Sequence, residues 1–161
     1  MRDVRKASGR SFVTLVLGVF GGITLAAGVN APLIYIPIAG HISYLHHPGK
    51  FSGGNLGELI IPIVGCLSIV FALLKYFRLL WVTGTIALAQ LAVTLAWFHH
   101  DTAVVAAQAD RPDLVSPGLM WANAALEHAR FEWGIAVIAG GAILVLAAAA
   151  CAYIAQRQQK D

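Results

Sequence analysis

The sequence predicts an all-α integral membrane protein. Its expected fold is a four-transmembrane-helix bundle with a short β-hairpin-like first outer loop and helical extensions of spans three and four on the outer side. Hydrophobic residues make up 58% of the 161 residues and charged residues only 12%, against roughly one half and one quarter in soluble domains. Four apolar runs are long enough to cross a bilayer, and the few charges lie mainly between them. A soluble chain of this composition would expose large apolar patches and aggregate.

Each apolar run holds about 20 residues, which is the number needed for a helix to cross about 30 Å of hydrocarbon. Helices are the expected form because lipid offers backbone amides no partner. The first run resembles a secretory signal, but Pro32 follows it closely and makes a poor cleavage site, so we interpret it as a retained span. The whole chain, 1–161, is one membrane domain with spans at about 11–29, 56–77, 79–98 and 133–155.

The charges predict the orientation. The presumed inner segments carry eight basic and two acidic residues: Arg2, Arg5, Lys6, Arg10, Lys75, Arg78, Arg157 and Lys160, with Asp3 and Asp161. The outer segments carry three basic and six acidic residues: Lys50, Arg111 and Arg130, with Glu58, Asp101, Asp110, Asp113, Glu127 and Glu132. Because short inner loops are enriched in Lys and Arg, both termini are predicted to be cytoplasmic, in a multi-pass protein of the cytoplasmic membrane. The pI near 9.1 then reflects topology, and no nucleic-acid partner is expected.

The two outer loops have different patterns. In the first, Pro32, Pro37 and Gly40 exclude a helix, and alternating isoleucine and tyrosine residues predict a hairpin that turns near Gly40. In the second, the chain after His99 stays helix-forming, so span three is expected to continue past the membrane. No proline follows Pro117, and we therefore expect one helix from about Pro117 to Arg157, roughly 60 Å long.

Small residues mark the expected helix contacts. Lipid provides no hydrophobic force between helices, so close packing of glycine and alanine faces usually holds them together. Gln90 is the only strongly polar side chain near the middle of a span, and we expect it to bond across a helix interface. The candidate packing residues are Gly18, Gly22, Gly140, Gly141 and Gln90.

All six histidines fall on the predicted outer side, and two pairs of them are adjacent. With nearby carboxylates they offer nitrogen and oxygen ligands for Cu or Zn. Haem is the less favoured cofactor, because no histidine lies deeper in a span than the interface. The alternative reading is that histidine, half apolar and half polar, is simply tolerated at loop starts. The candidate metal ligands are His46, His47, His99, His100 and His128.

No catalytic constellation is recognisable. Cys66 and Cys151 lie within spans and form no C-x-x-C motif, and the chain has no Walker loop or dinucleotide fingerprint. We therefore expect no enzyme activity and no resident cofactor. The sequence favours a non-catalytic membrane protein that contacts lipid and acts through helix faces, as a homo-oligomer or as an accessory subunit of a larger membrane complex. An outer-face Cu, Zn or haem protein is the alternative.

Three segments carry a resemblance to a known group: 32–44, with its Pro-Ile-Ala-Gly pattern; 75–81; and 132–137, in which Trp133-Gly134 opens the last span. Together they resemble uncharacterised small bacterial four-span membrane proteins. The resemblance implies a bacterial inner membrane location and no particular activity. The layout also resembles that of claudins, although the first outer loop lacks their tryptophan and paired cysteines.

Overall fold

The computed structural model describes residues 2–37, 40–44, 55–109 and 117–158. The described chain is mostly helical. Its five helices are α1 (Arg2–Gly28), α2 (Asn55–Leu73), α3 (Phe77–Ala109), α4 (Pro117–Glu127) and α5 (Trp133–Arg157), and its three short strands are β1 (Pro32–Ile36), β2 (Gly40–Ser43) and β3 (Arg130–Phe131).

Within the described residues, two helices are long and apolar enough to cross a membrane. These are α3 and α5, with 33 and 25 residues, or about 50 and 38 Å of helix. The apolar parts of the other two long helices are shorter, at Phe12–Gly28 and Leu59–Leu73. Membrane-capable helices are therefore present, and among the described residues they number two, against the four spans that the sequence predicts.

The long helices pack in antiparallel pairs. Gly21 of α1 lies against Gly141 of α5, and Gly28, seven residues later, lies against Ile138. Residue numbers thus rise along α1 as they fall along α5. The pair α1–α2 is antiparallel as well, since Gly18 lies against Ala72 and Gly22 against Gly65. Helix α3 packs on both α2 and α5, and α1 packs most extensively on α5. One end of the helices carries the strands (the sheet end), and the other carries the α2–α3 turn at 74–76 (the turn end).

Many interior positions of this assembly hold alanine beside a few large residues such as Leu25 and Ile138, and many large apolar residues lie on its surface. Six fully or almost fully buried positions in the helices are alanines: Ala72, Ala87, Ala142, Ala148, Ala149 and Ala152. Phe20, Ile63 and Ile143, in contrast, are each more than half exposed. Small interior residues let the backbones approach closely, which is the packing expected where lipid rather than water surrounds the helices.

The turn between α2 and α3 is a tight helix-ending motif centred on Lys75. The amide of Tyr76 donates to the carbonyl of Phe71, and the amide of Lys75 donates to that of Ala72. This is the Schellman pattern, whose penultimate position requires left-handed backbone and is usually glycine. Here that position is Lys75, with φ of 59°. The left-handed backbone conformation is therefore adopted by a residue with a Cβ atom, which makes it sterically unfavourable.

Replacing Lys75 with glycine is expected to stabilise the protein by about 0.5–1 kcal/mol, because the steric cost of the left-handed residue disappears. The midpoint of thermal unfolding in detergent should rise. Lys75→Ala, which removes the charge but keeps the Cβ atom, is the matched control and should give no such gain. A lower midpoint for Lys75→Gly would contradict this account of the turn.

The sheet confirms one prediction and overturns another. The predicted hairpin is present: β1 and β2 pair antiparallel, with Tyr35 opposite His41, and Gly40 adopts φ of 78°. The expectation of one helix from Pro117 to Arg157 is wrong. The chain leaves helix after Glu127, adds β3 to the free edge of β1 and re-enters helix at Trp133. Backbone pairing with β1, which no helical pattern reveals, is the physical reason.

Candidate functional site

The three strands display two rows of side chains, one on each face of the sheet. Directly opposed residues share a face, so Arg130, Tyr35 and His41 form one row, with Tyr35 in the middle. Ile34 and Ile42 lie in the other row and are buried. The sheet therefore packs an apolar face against the helices and presents a polar face carrying a cation, a phenol and an imidazole.

Glu132 completes this polar row. Its backbone amide donates to the carbonyl of Leu33 at 2.9 Å, which fixes the residue immediately before α5. Its carboxylate meets Nδ1 of His41 at 2.9 and 3.1 Å through its two oxygens. The His41 ring also lies 5.1 Å from that of Tyr35. Residues 91 positions apart are thereby joined, and Nε2 of His41 is left outside this contact.

The His41–Glu132 pair is expected to contribute little to stability, because the histidine side chain is 67% exposed and water screens exposed ion pairs. A double-mutant cycle with His41→Ala and Glu132→Gln should give a coupling free energy below about 1 kcal/mol. Thermal unfolding of the two single variants and the double variant measures it. A coupling free energy of several kcal/mol would contradict this estimate and would show that the pair contributes strongly to holding the sheet in place.

The structure places the predicted metal ligands as follows. His46 and His47 lie outside the described residues. His99 and His100 follow one another on α3, and His100 lies 3.6 Å from Asp101, its neighbour in sequence. Nδ1 of His128 lies 2.9 Å from the carbonyl of Ala124, at the end of α4. No three histidine, cysteine or acidic side chains converge on one point among the residues that the structure describes.

The candidate packing residues divide into two groups. A Cβ atom added at Gly18, Gly22 or Gly141 would meet a neighbouring helix at 3.0 Å or less, whereas one added at Gly140 meets nothing within 4 Å. Gly140 therefore lies on the outward face of α5. Gln90 is half-buried, and no described residue bonds its side chain; its backbone carbonyl accepts from the hydroxyl of Thr94.

Sequence reasoning missed the polar row because one of its three strands, β3, is remote in the chain from the other two. The alternation that predicted the hairpin does place Tyr35 opposite His41 once the turn is set at Gly40. Nothing comparable marks Arg130 and Glu132, since a two-residue strand has no periodicity. Below the sheet, an open groove of 440 Å³ between α1 and α5 was missed as well, and its lining includes Thr24, Asn30 and Trp133 but no charged side chain.

No protein-family model matches the chain, and searches of curated proteins and of solved structures find no match either.

Proposed function

We propose that this chain is a four-span, non-catalytic membrane protein that works through helix-face contacts, as a homo-oligomer or as an accessory subunit of a larger membrane complex. The observation that carries the membrane part of this proposal is the exposed surface of the helices. Of the most apolar stretches of α3 and α5, only 28% and 39% of residues are buried. The core helix of a soluble protein would be mostly buried, so lipid is the solvent that fits these surfaces.

Exposed aromatic side chains form two levels at the boundaries of this apolar surface. Trp81 and Tyr153 lie toward the turn end, and Trp97 and Trp133 lie toward the sheet end, each about half exposed or more. Trp97 is sixteen positions after Trp81 on α3, and Tyr153 is twenty positions after Trp133 on α5. These separations correspond to about 24 and 30 Å of helix. These spacings match the hydrocarbon thickness of a bilayer, and tryptophan and tyrosine favour its two interfaces.

The charges favour a cytoplasmic turn end. Lys75, Arg78 and Arg157 lie there. Three acidic residues and one basic residue lie at or beyond the sheet end: Asp101, Glu127, Glu132 and Arg130. By the positive-inside rule, the sheet, α4 and the distal part of α3 face the outside. The membrane is that of a bacterial cell in this proposal, as the sequence resemblance implies. In the four-span arrangement α1 and α2 cross the bilayer as well, and both termini are cytoplasmic.

Cysteine accessibility tests the span count. In a background carrying Cys66→Ala and Cys151→Ala, single cysteines are placed at four exposed positions: Asn30→Cys, Leu74→Cys, Gln108→Cys and Arg157→Cys. With four spans, a membrane-impermeant maleimide labels the first and third in intact spheroplasts, and the other two only after lysis. Labelling of Asn30→Cys and Leu74→Cys from the same side would show that α2 does not cross the membrane.

Gly140 is the feature that favours contact with another helix rather than with lipid alone. It leaves a shallow notch in the outward face of α5, where nothing lies within 4 Å of a Cβ atom. Ala136, one turn earlier on the same face, is exposed as well. Such small-xxx-small faces let a second helix approach closely. We propose that this face meets either a second copy of the chain or a span of another membrane protein.

Leucine at Gly140 is expected to weaken that association about tenfold, since it fills the notch while leaving the chain's own packing intact. The size of the purified particle in mild detergent, and any protein that co-purifies with it, give the measurement. Ala89→Leu, on an exposed position of α3, is the matched control. A native chain that is strictly monomeric and has no companion contradicts the contact proposal. Metal analysis of the same sample showing stoichiometric Cu, Zn or haem favours the histidine alternative.

A further inference from the structure

A second groove lies at the turn end, between the start of α3 and the last turns of α5. Its volume is 340 Å³. Its floor is made by the small residues Ala149 and Ala152, which are almost fully buried. Aromatic, basic and amide side chains surround these alanines: Phe77, Arg78, Trp81, Tyr153 and Gln156. The groove thus combines an apolar base with a polar rim.

The rim carries positive charge that the described structure does not neutralise. Arg78 is exposed and has no carboxylate within ion-pair distance among the residues whose side chains are described. It is the second residue of α3, whose first turn contains no acidic side chain. The N-terminus of a helix carries partial positive charge and favours anions. The guanidinium of Arg78 and the N-terminus of α3 therefore both favour binding of a phosphate group.

The rest of the groove suits an acyl chain. Trp81 and Tyr153 are among the aromatic residues at the turn-end boundary of the apolar surface. The small side chains of Ala149 and Ala152 form the apolar part of the groove lining between α3 and α5. A molecule lying here would have its charged group level with Arg78 and its hydrocarbon along the helices. Those are the two parts of a phospholipid.

We propose that this groove binds an anionic phospholipid of the inner leaflet, with the headgroup phosphate on Arg78 and one acyl chain against Ala149 and Ala152. The proposal rests on the proposed function, because it requires the turn end to lie at the cytoplasmic surface of a membrane. Anionic lipids are attracted to basic groups at that surface. The groove between α1 and α5 at the sheet end differs in this respect: it is of similar size, but no charged residue lines it.

The test uses the full chain, purified in detergent and freed of lipid, and measures lipid binding by native mass spectrometry. Phosphatidylglycerol and phosphatidylcholine with identical acyl chains are the probes. The chain should bind phosphatidylglycerol about fivefold more tightly, the factor expected for one basic residue near an anionic headgroup. Arg78→Gln should abolish the preference, and Arg78→Lys should keep most of it. Arg157→Gln, which removes a neighbouring charge outside the groove lining, should leave the preference intact.

Each other result overturns the proposal in a specific way. Equal binding of the two lipids by the native chain means that the rim does not select an anion. Equal loss in Arg78→Gln and Arg157→Gln means that a diffuse basic surface is responsible. Stabilisation by inorganic phosphate as large as that by the lipid means that the site takes a free anion. If carbonate washing releases the chain from membranes into the soluble fraction, the proposal of a membrane-spanning protein is wrong. Failure of the lipid-site proposal can therefore be distinguished from failure of the membrane proposal.

Discussion

Leucine in place of Gly141 is expected to unfold the protein or to lower the midpoint of thermal unfolding by roughly 10 °C. A Cβ atom at this position would lie 3.0 Å from the backbone nitrogen of Leu25 and 3.1 Å from the carbonyl oxygen of Gly21. Both atoms belong to the backbone of α1 and cannot rotate away. The two helices that pack most extensively must therefore separate. Thermal melts of the detergent-solubilised variant, followed by circular dichroism, measure the loss.

Gly140→Leu provides the control because it introduces the same side chain one residue away. Nothing lies within 4 Å of that position, so the melting midpoint should stay within a few degrees of the native value. The pair also separates folding from association: Gly141 acts within one chain, and Gly140 is the position through which we propose contact with another. Equal midpoints for the two leucine variants would contradict the α1–α5 packing described above.

Leucine in place of Gly134 is expected to detach the three-stranded sheet while leaving the long helices packed. A Cβ atom here would collide with the carbonyl oxygen of Pro32 and lie 3.0 Å from that of Ala31. Relieving the collision pushes the start of α5 away from β1. The hydrogen bond from the amide of Glu132 to Leu33, and the pairing of β3 with β1, are then lost.

Trypsin measures this detachment directly, because Arg130 lies in β3 and a paired strand resists cleavage. Loss of about two backbone hydrogen bonds should make cleavage after Arg130 at least about tenfold faster. Ala136→Leu is the control, since Ala136 lies on the exposed face of the same helix turn. Its cleavage rate should match that of the native chain. Unchanged protection in Gly134→Leu would mean that β3 is not held by this contact.

The hairpin was predictable from sequence patterns, whereas the break in the predicted helix from Pro117 to Arg157 was not. Alternation and the break at Gly40 predicted the β1–β2 pair, because a hairpin is local and its turn residue is visible in the sequence. The break between Glu127 and Trp133 was not predictable in the same way. The absence of proline permits a helix there but does not require one, and a bond to Leu33 from a residue 99 positions later decided against it.

The candidate sites show the same difference between local features, which the sequence reveals, and contacts between distant segments, which it does not. The segregation of charges, visible in the sequence, located the basic end that contains Arg78. It did not reveal that Arg78 shares a groove with Tyr153 and Gln156, because α3 and α5 are brought together only by packing. The adjacent histidines drew attention to the predicted outer face. The histidine that the structure pairs with a carboxylate is His41, which stands alone in the sequence and has its partner on another strand.

Composition and charge order by themselves indicated helices with apolar surfaces and an uneven distribution of basic residues along the chain, because both can be read from the order of side chains. They also singled out glycines as packing residues. Only the tertiary structure decided which glycines do so: Gly141 faces α1, and Gly140 faces outward, although the two are neighbours in sequence. The physical reason is the helical repeat, which turns adjacent residues about 100° apart, and the sequence alone does not fix where the neighbouring helix lies.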